Sequence, residues 1–202
     1  MPQDTDCHIL GRKSAKTYTK VMVALGGNVA GVKGDPKSTI QAALNALGDS
    51  PLRVEKSSRL YESPCFPAGA GPDYVNAASL LSTDVNPQDV LDILHGIEAD
   101  FGRLREQRWG QRSLDLDLIA YGDAILPDLA GYQHWRDLPQ ERQKTDAPDQ
   151  LILPHPRLHE RAFVLIPLAE IAPDWVHPVL GRTVAEMAAA LPDAEKSALK
   201  PL

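Results

Sequence analysis

The run Ser113-Leu114-Asp115-Leu116-Asp117-Leu118 alternates apolar and polar side chains with a period of two, and the pattern continues towards Tyr121. Successive side chains of a strand point to opposite faces, so this run buries its leucines on one side and presents Asp115 and Asp117 together on the other. In a helix the same residues would scatter around the circumference. The chain therefore needs a sheet with one face packed beneath other elements at this strand.

The rest of the chain supplies those elements. Residues 20–27 carry Val-Met-Val-Ala-Leu before Gly26 and Gly27 and read as a buried strand followed by a tight turn. Asp35 and Pro36 form an N-cap and N1 pair, Ile40, Ala43, Leu44 and Leu47 make an apolar stripe, and Gly48 is a stop signal. Residues 52–62 and 74–82 are strand-like, and the 63–72 connection, with three prolines and two glycines, is a loop. Asn86 and Pro87 start a second helix, whose stripe runs through Val90, Leu94, Ile97, Phe101 and Leu104. The order β-α-β-β-α-β matches an α+β, ferredoxin-like sandwich, an antiparallel sheet with helices on one face. Further helices over 161–171 and 184–191 form a C-terminal helical extension. Residues 1–19 are expected as a flexible N-terminal extension, residues 20–202 as a single domain, and residues 123–150 as an excursion within it.

Composition narrows the function. The 202 residues are 43% hydrophobic and 24% charged, an ordinary folded composition, and no apolar run approaches the roughly 20 residues of a membrane span. The first twenty residues hold no export-type apolar segment, so a cytoplasmic address is expected. Cys7 and Cys65 lie far apart, outside any metal or disulfide pattern. The net charge of −6 argues against a nonspecific nucleic-acid binder and leaves room for a small anion where basic residues cluster.

They cluster immediately before the acidic strand. Arg103, Arg105, Arg108 and Arg112 stand within ten residues with Glu106 as the single acid among them. Guanidinium forks match phosphate oxygens, whereas an isolated helix end would carry arginine only to complement its dipole. Asp115 and Asp117, about 6–7 Å apart at Cα, suit oxygen ligation of Mg²⁺ completed by phosphate. An isolated Asp-x-Asp is also common on a solvent-facing strand, and its neighbours distinguish the two readings. Tyr74 and Asn76 face the same way and offer an aromatic plane beside an amide, as a flat heterocycle requires, and also as ordinary packing residues do. His155 is held between Pro154 and Pro156, and Asn28 follows the two glycines, placed to bond a ligand. No P-loop pattern occurs.

Four ordered segments carry a resemblance: Ala24-Leu25-Gly26-Gly27-Asn28, Pro72-Asp73-Tyr74-Val75-Asn76-Ala77-Ala78, Arg108-Trp109-Gly110-Gln111-Arg112-Ser113-Leu114-Asp115-Leu116-Asp117-Leu118, and Pro154-His155-Pro156 through Arg161-Ala162-Phe163-Val164. Together they closely resemble the 6-hydroxymethyl-7,8-dihydropterin pyrophosphokinase family over roughly residues 20–192, apart from the excursion. The resemblance implies transfer of pyrophosphate from ATP, as co-substrate, to the hydroxymethyl oxygen of 6-hydroxymethyl-7,8-dihydropterin in folate biosynthesis. It implies two Mg²⁺ ions on Asp115 and Asp117, and phosphate contacts from the catalytic Arg103 and Arg112. Arg105, Arg108 and Trp109 would close over the phosphates from a mobile loop, and Glu98, Leu118, His155 and Arg161 fall where the family binds ATP. Tyr74 and Phe163 would sandwich the pterin, while Asn28, Asn76 and the stretch Ser63, Pro64 and Cys65 would read its edge. Nucleic acid, membrane and obligate protein partners are not implied. Gly27 stands where the family carries serine, Ser63 where threonine is usual, and Gln150 and Ile152 replace polar or basic ATP contacts. The alternatives are a ferredoxin-like small-molecule-binding module without catalysis and a metal-dependent nucleotidyltransferase, but the latter leaves Tyr74, Asn76 and the Pro-His-Pro segment unexplained.

Overall fold

A computed structural model describes residues 16–65, 71–102, 112–143 and 145–202. Strand β1 (Thr19–Gly27) leads to helix α1 (Pro36–Gly48), where the Asp35 side chain accepts a hydrogen bond from Ser38 N–H at 2.7 Å and so satisfies an orphan donor of the first turn. Strands β2 (Arg53–Ser57), β3 (Tyr61–Ser63) and β4 (Tyr74–Thr83) precede helix α2 (Pro87–Asp100), capped by Asn86, and β5 (Asp115–Tyr121) completes the expected order. Gly26 and Gly27 are the last residues of β1 rather than a turn after it.

The strand expected over 52–62 is two. β2 pairs antiparallel with the distal half of β4 and β3 with the proximal half, with a register shift between Val54 and Lys56. Ser58 marks the break, its N–H donating to Ala78 O and its hydroxyl accepting from Ala78 N–H, each at 2.9 Å. The side chain thus replaces a ladder bond where the strand bends.

The main sheet order is β5-β1-β4-β3, with a last short strand, β6 (Lys200–Pro201), beyond β3. Val21, Val23, Leu25, Val75, Ala77, Leu81, Leu114, Leu116 and Leu118 project to the side covered by α1 and α2. Met22, Ala24, Ala78 and Ile119 project to the other side, where helices α5 (Ala162–Ile171) and α6 (Val184–Ala189) supply Leu165, Leu168, Val184 and Met187. The C-terminal extension therefore forms a second covering layer, and the sheet bears helices on both faces. At one end of this second layer the same strand face turns polar, carrying Asp115, Asp117 and Asn76.

The excursion holds α3 (Leu129–Arg136), the short α4 (Gln140–Gln143) and a bridge from Leu126 to Leu153; α7 (Asp193–Ala198) precedes β6. Tyr132 of α3 is fully buried, and its hydroxyl lies 2.9 Å from Nε2 of the fully buried His177. Nδ1 of His177 accepts from Val179 N–H at 3.1 Å, so Nε2 carries the proton and donates to Tyr132.

Burial, aided by neighbouring His159, pushes the His177 pKa down to about 4. The unfolded chain protonates near pH 6.5, so His177 adds stability above that pH and loses it as the pH falls from about 6.5 to about 4. Over this window the native state should lose roughly 3 kcal/mol of stability from this residue. Urea titrations should give His177→Gln lower stability at pH 7 but a shallower decline towards pH 4, and parallel declines would refute the assignment.

Candidate functional site

This polar end is organised by one cross-strand row. Asp115 of β5 lies opposite Gly26 of β1, Gly26 opposite Asn76 of β4, and Asn76 opposite Tyr61 of β3. Paired residues share a face, so Asp115 and Asn76 look onto the same space from two strands apart, about 10 Å at the usual strand spacing. Gly26 puts no side chain between them; a Cβ there would meet Asn76 Oδ1 at 3.5 Å, an ordinary van der Waals contact. Asp117 pairs with Ala24 one step along the same face.

Arg112 forms an ion pair with Asp115, both side chains being mostly buried. Burial works against the Arg112 charge, but Asp115 and then Asp117 outweigh it and raise its pKa above the ordinary guanidinium value. Arg161, at the N-cap of α5, is deeply set; burial lowers its pKa, opposed by Asp117 and Asp115 and assisted by Arg112. Two guanidinium groups thus share the field of two carboxylates, an arrangement that accepts an anion once a cation engages the carboxylates.

His155 runs along the outer edge of β5, its N–H donating to Ile119 O at 2.7 Å. Its Nδ1 accepts from Arg157 N–H at 3.1 Å, and burial, then Arg161, pushes its pKa down to about 3. The ring is neutral with its proton on Nε2. Nε2 is therefore its hydrogen-bond donor.

On the other side of Gly26 the amide of Asn76, 3% exposed, donates from Nδ2 to Ser63 Oγ at 2.9 Å, leaving Oδ1 towards the row. Tyr74 is half-buried on the same face, burial being the main cause of its raised pKa. Phe163 stands 38% exposed at the start of α5, with the Arg161 guanidinium 5.6 Å from its ring centre. Pro64 is exposed and the Cys65 N–H is taken by Asp73 Oδ1 at 3.3 Å, which leaves less main chain for reading a ligand edge than expected.

Three of the expected contact residues have their side chains engaged within the protein. Asn28 is 4% exposed, and its amide is occupied within the protein: Oδ1 accepts from Arg112 N–H at 3.0 Å and Nδ2 donates to Pro72 O at 3.3 Å. With its own N–H donating to Arg112 O at 2.9 Å, Asn28 holds the main chain that carries the Arg112 side chain. Glu98 is 1% exposed and accepts from Leu116 N–H at 2.7 Å, bracing the outer edge of β5 between the two aspartates. Leu118 turns its side chain into the core on the α1 and α2 side, as strand alternation demands. Arg103, Arg105, Arg108 and Trp109 lie outside the described residues.

Gly27 also gains an explanation. A Cβ there would stand 2.5 Å from the Ser113 carbonyl oxygen, because β1 and the 112–113 backbone are drawn together by the Asn28 bonds. No side chain fits without moving main chain. Gly27→Ser should therefore destabilise the protein by about 1–3 kcal/mol, measured in urea. A variant of unchanged stability would show that the close approach is not needed.

The model of the 7,8-dihydro-6-hydroxymethylpterin-pyrophosphokinase family matches residues 22–173. A 2-amino-4-hydroxy-6-hydroxymethyldihydropteridine pyrophosphokinase of Pseudomonas aeruginosa is 40% identical over 174 residues, 86% of this chain and 92% of its own length. One from Synechocystis is 39% identical over 166 residues, covering 82% and 73%. Crystal structures of wild-type Plasmodium falciparum HPPK-DHPS share the fold, one at a TM-score of 0.59 and 14% identity, covering 87% of this chain and 45% of that one. This chain thus spans less than half the length of that solved chain. Matched by the family model over most of its length and by relatives at this level of identity, the chain belongs to the 7,8-dihydro-6-hydroxymethylpterin-pyrophosphokinase family.

Proposed function

We propose that this protein transfers the terminal diphosphoryl unit of ATP to the hydroxymethyl oxygen of 6-hydroxymethyl-7,8-dihydropterin, releasing AMP, within folate biosynthesis. The observation that carries this reading is the row Asp115–Gly26–Asn76, which joins a carboxylate and guanidinium cluster to a buried amide slot across one small residue. Its length suits a heterocycle at Asn76 and a phosphate chain at Asp115.

The donor set fits Mg²⁺. Asp115 and Asp117 provide oxygen ligands on one face, and among the described residues no third His, Cys, Asp or Glu completes a cluster. A cation held by two carboxylates and finished by water and phosphate oxygens is the usual magnesium arrangement. When bound, Mg²⁺ neutralises phosphate oxygens during the in-line displacement. Arg112 and Arg161 bind and orient the remaining phosphate charge, and stabilise it as the bond from the β-phosphorus to the bridging oxygen breaks. His155 donates from Nε2 and, with Nδ1 already occupied, is no base for the hydroxyl proton. Phe163 and Tyr74 shelter the pterin rings while Asn76 Oδ1 accepts from their polar edge.

Incubating the chain with Mg²⁺, ATP and the hydroxymethyldihydropterin should yield AMP and the pterin diphosphate in equal amounts. Formation of ADP would exclude diphosphoryl transfer. Chelation of divalent cations should stop the reaction, and continued turnover would remove the metal from the proposal.

A further inference from the structure

Strand β3 has only three residues, too few for its ladder bonds to β4 to fix its position, yet it carries Ser63 and leads into Pro64 and Cys65. It is held from the side by Glu170. Glu170 Oε2 accepts from Arg59 N–H at 2.9 Å, and Oε1 accepts from Arg59 Nε at 2.7 Å and from the Tyr61 hydroxyl. Tyr61 is 4% exposed and lies directly opposite Asn76, with its side chain on the same sheet face.

The other end of this contact is as informative. Glu170 and Phe163 are seven residues apart on α5, two helical turns along one face. One rigid element therefore grips β3 with its carboxylate and carries, on its first turn, the Phe163 ring proposed to shelter the pterin. On the far edge β6 adds a second restraint, pairing Lys200 with Glu62 and Pro201 with Tyr61, and Leu202 N–H donates to Leu60 O at 2.9 Å.

We infer that Glu170 is a positioning residue for the pterin: through Tyr61 and Arg59 it sets the distance between the Ser63–Asn76 pair and the Phe163 ring. It touches no reacting atom. The inference rests on the proposed pterin site and deepens it, separating groups that set the pterin slot from those that bind nucleotide. Glu170 lies about two and a half turns from Arg161, and none of its donors belongs to the phosphate cluster.

The test is a comparison of Michaelis constants in Glu170→Gln and Tyr61→Phe, the latter removing a single hydroxyl from an otherwise preserved ring. Glu170→Gln should raise the pterin KM about five- to tenfold and Tyr61→Phe about two- to threefold, the size expected for losing partly exposed charge-assisted bonds. The ATP KM should be unchanged, and kcat at saturating pterin should fall by less than the pterin KM rises. A lowered melting temperature with an unchanged pterin KM in both variants would make the contact mere scaffold and overturn the inference. So would pterin and ATP constants rising together. If the wild-type chain makes AMP while these constants stay level, only this inference fails, whereas a wild-type chain that makes no AMP removes the proposed function with it.

Discussion

Asp117→Ala and Asp115→Ala are each expected to lower turnover by about 10³ or more while the protein stays folded. Both side chains are partly exposed on the polar face of β5, and the packing residues Leu116 and Leu118 point the other way, so truncation leaves the core intact. On the proposed reading, the leading loss is the site for a cation that would neutralise the phosphates, worth several kcal/mol in the transition state. Asp115→Ala also frees Arg112 from its ion-pair partner. Rates of AMP formation at saturating Mg²⁺, alongside thermal melts, decide the matter. A well-folded Asp117→Ala protein with near-normal turnover would show that β5 is not the metal strand.

Arg112→Ala is expected to slow the chemical step by about 10² or more and to leave pterin affinity nearly unchanged. The substitution isolates the guanidinium, because the bonds that tie this position to Asn28 run through the Arg112 main-chain N–H and C=O and survive it. Arg112→Lys should recover part of the rate, since a point charge replaces the fork without its paired hydrogen bonds. Single-turnover measurements separate chemistry from binding. A pterin affinity that fell as far as the rate would place Arg112 at the heterocycle and contradict the row, in which Asp115 and Asn76 stand two strands apart.

The legible parts of the site were those governed by local periodicity. Strand alternation alone places Asp115 with Asp117 and Tyr74 with Asn76, and the side chains of Asp35 and Asn86 cap helices from fixed positions in sequence. The partners of Asn28 and Glu98 were not legible in the sequence for a shared reason. Each is a polar group whose partner lies far along the chain, Arg112 and Pro72 for one and Leu116 for the other, and nothing local distinguishes an amide spent on backbone from one offered to a ligand. The Leu118 side chain packs in the core, as alternation requires, so what this position can offer a ligand is its main chain.

By itself the sequence determined the order of elements, the acidic face of β5 and the family, because each is written in spacing or in contiguous motifs. Register and layering were decided only in three dimensions. The row from Asp115 through Gly26 and Asn76 to Tyr61 depends on how four strands align, and a slip of one residue would turn any of them to the opposite face. The second helical layer, the division of 52–62 into β2 and β3, and the grip of Glu170 on β3 likewise arise from contacts between distant segments. Burial energy depends on which surfaces meet, and a single sequence shows which residues are apolar without showing what they will meet.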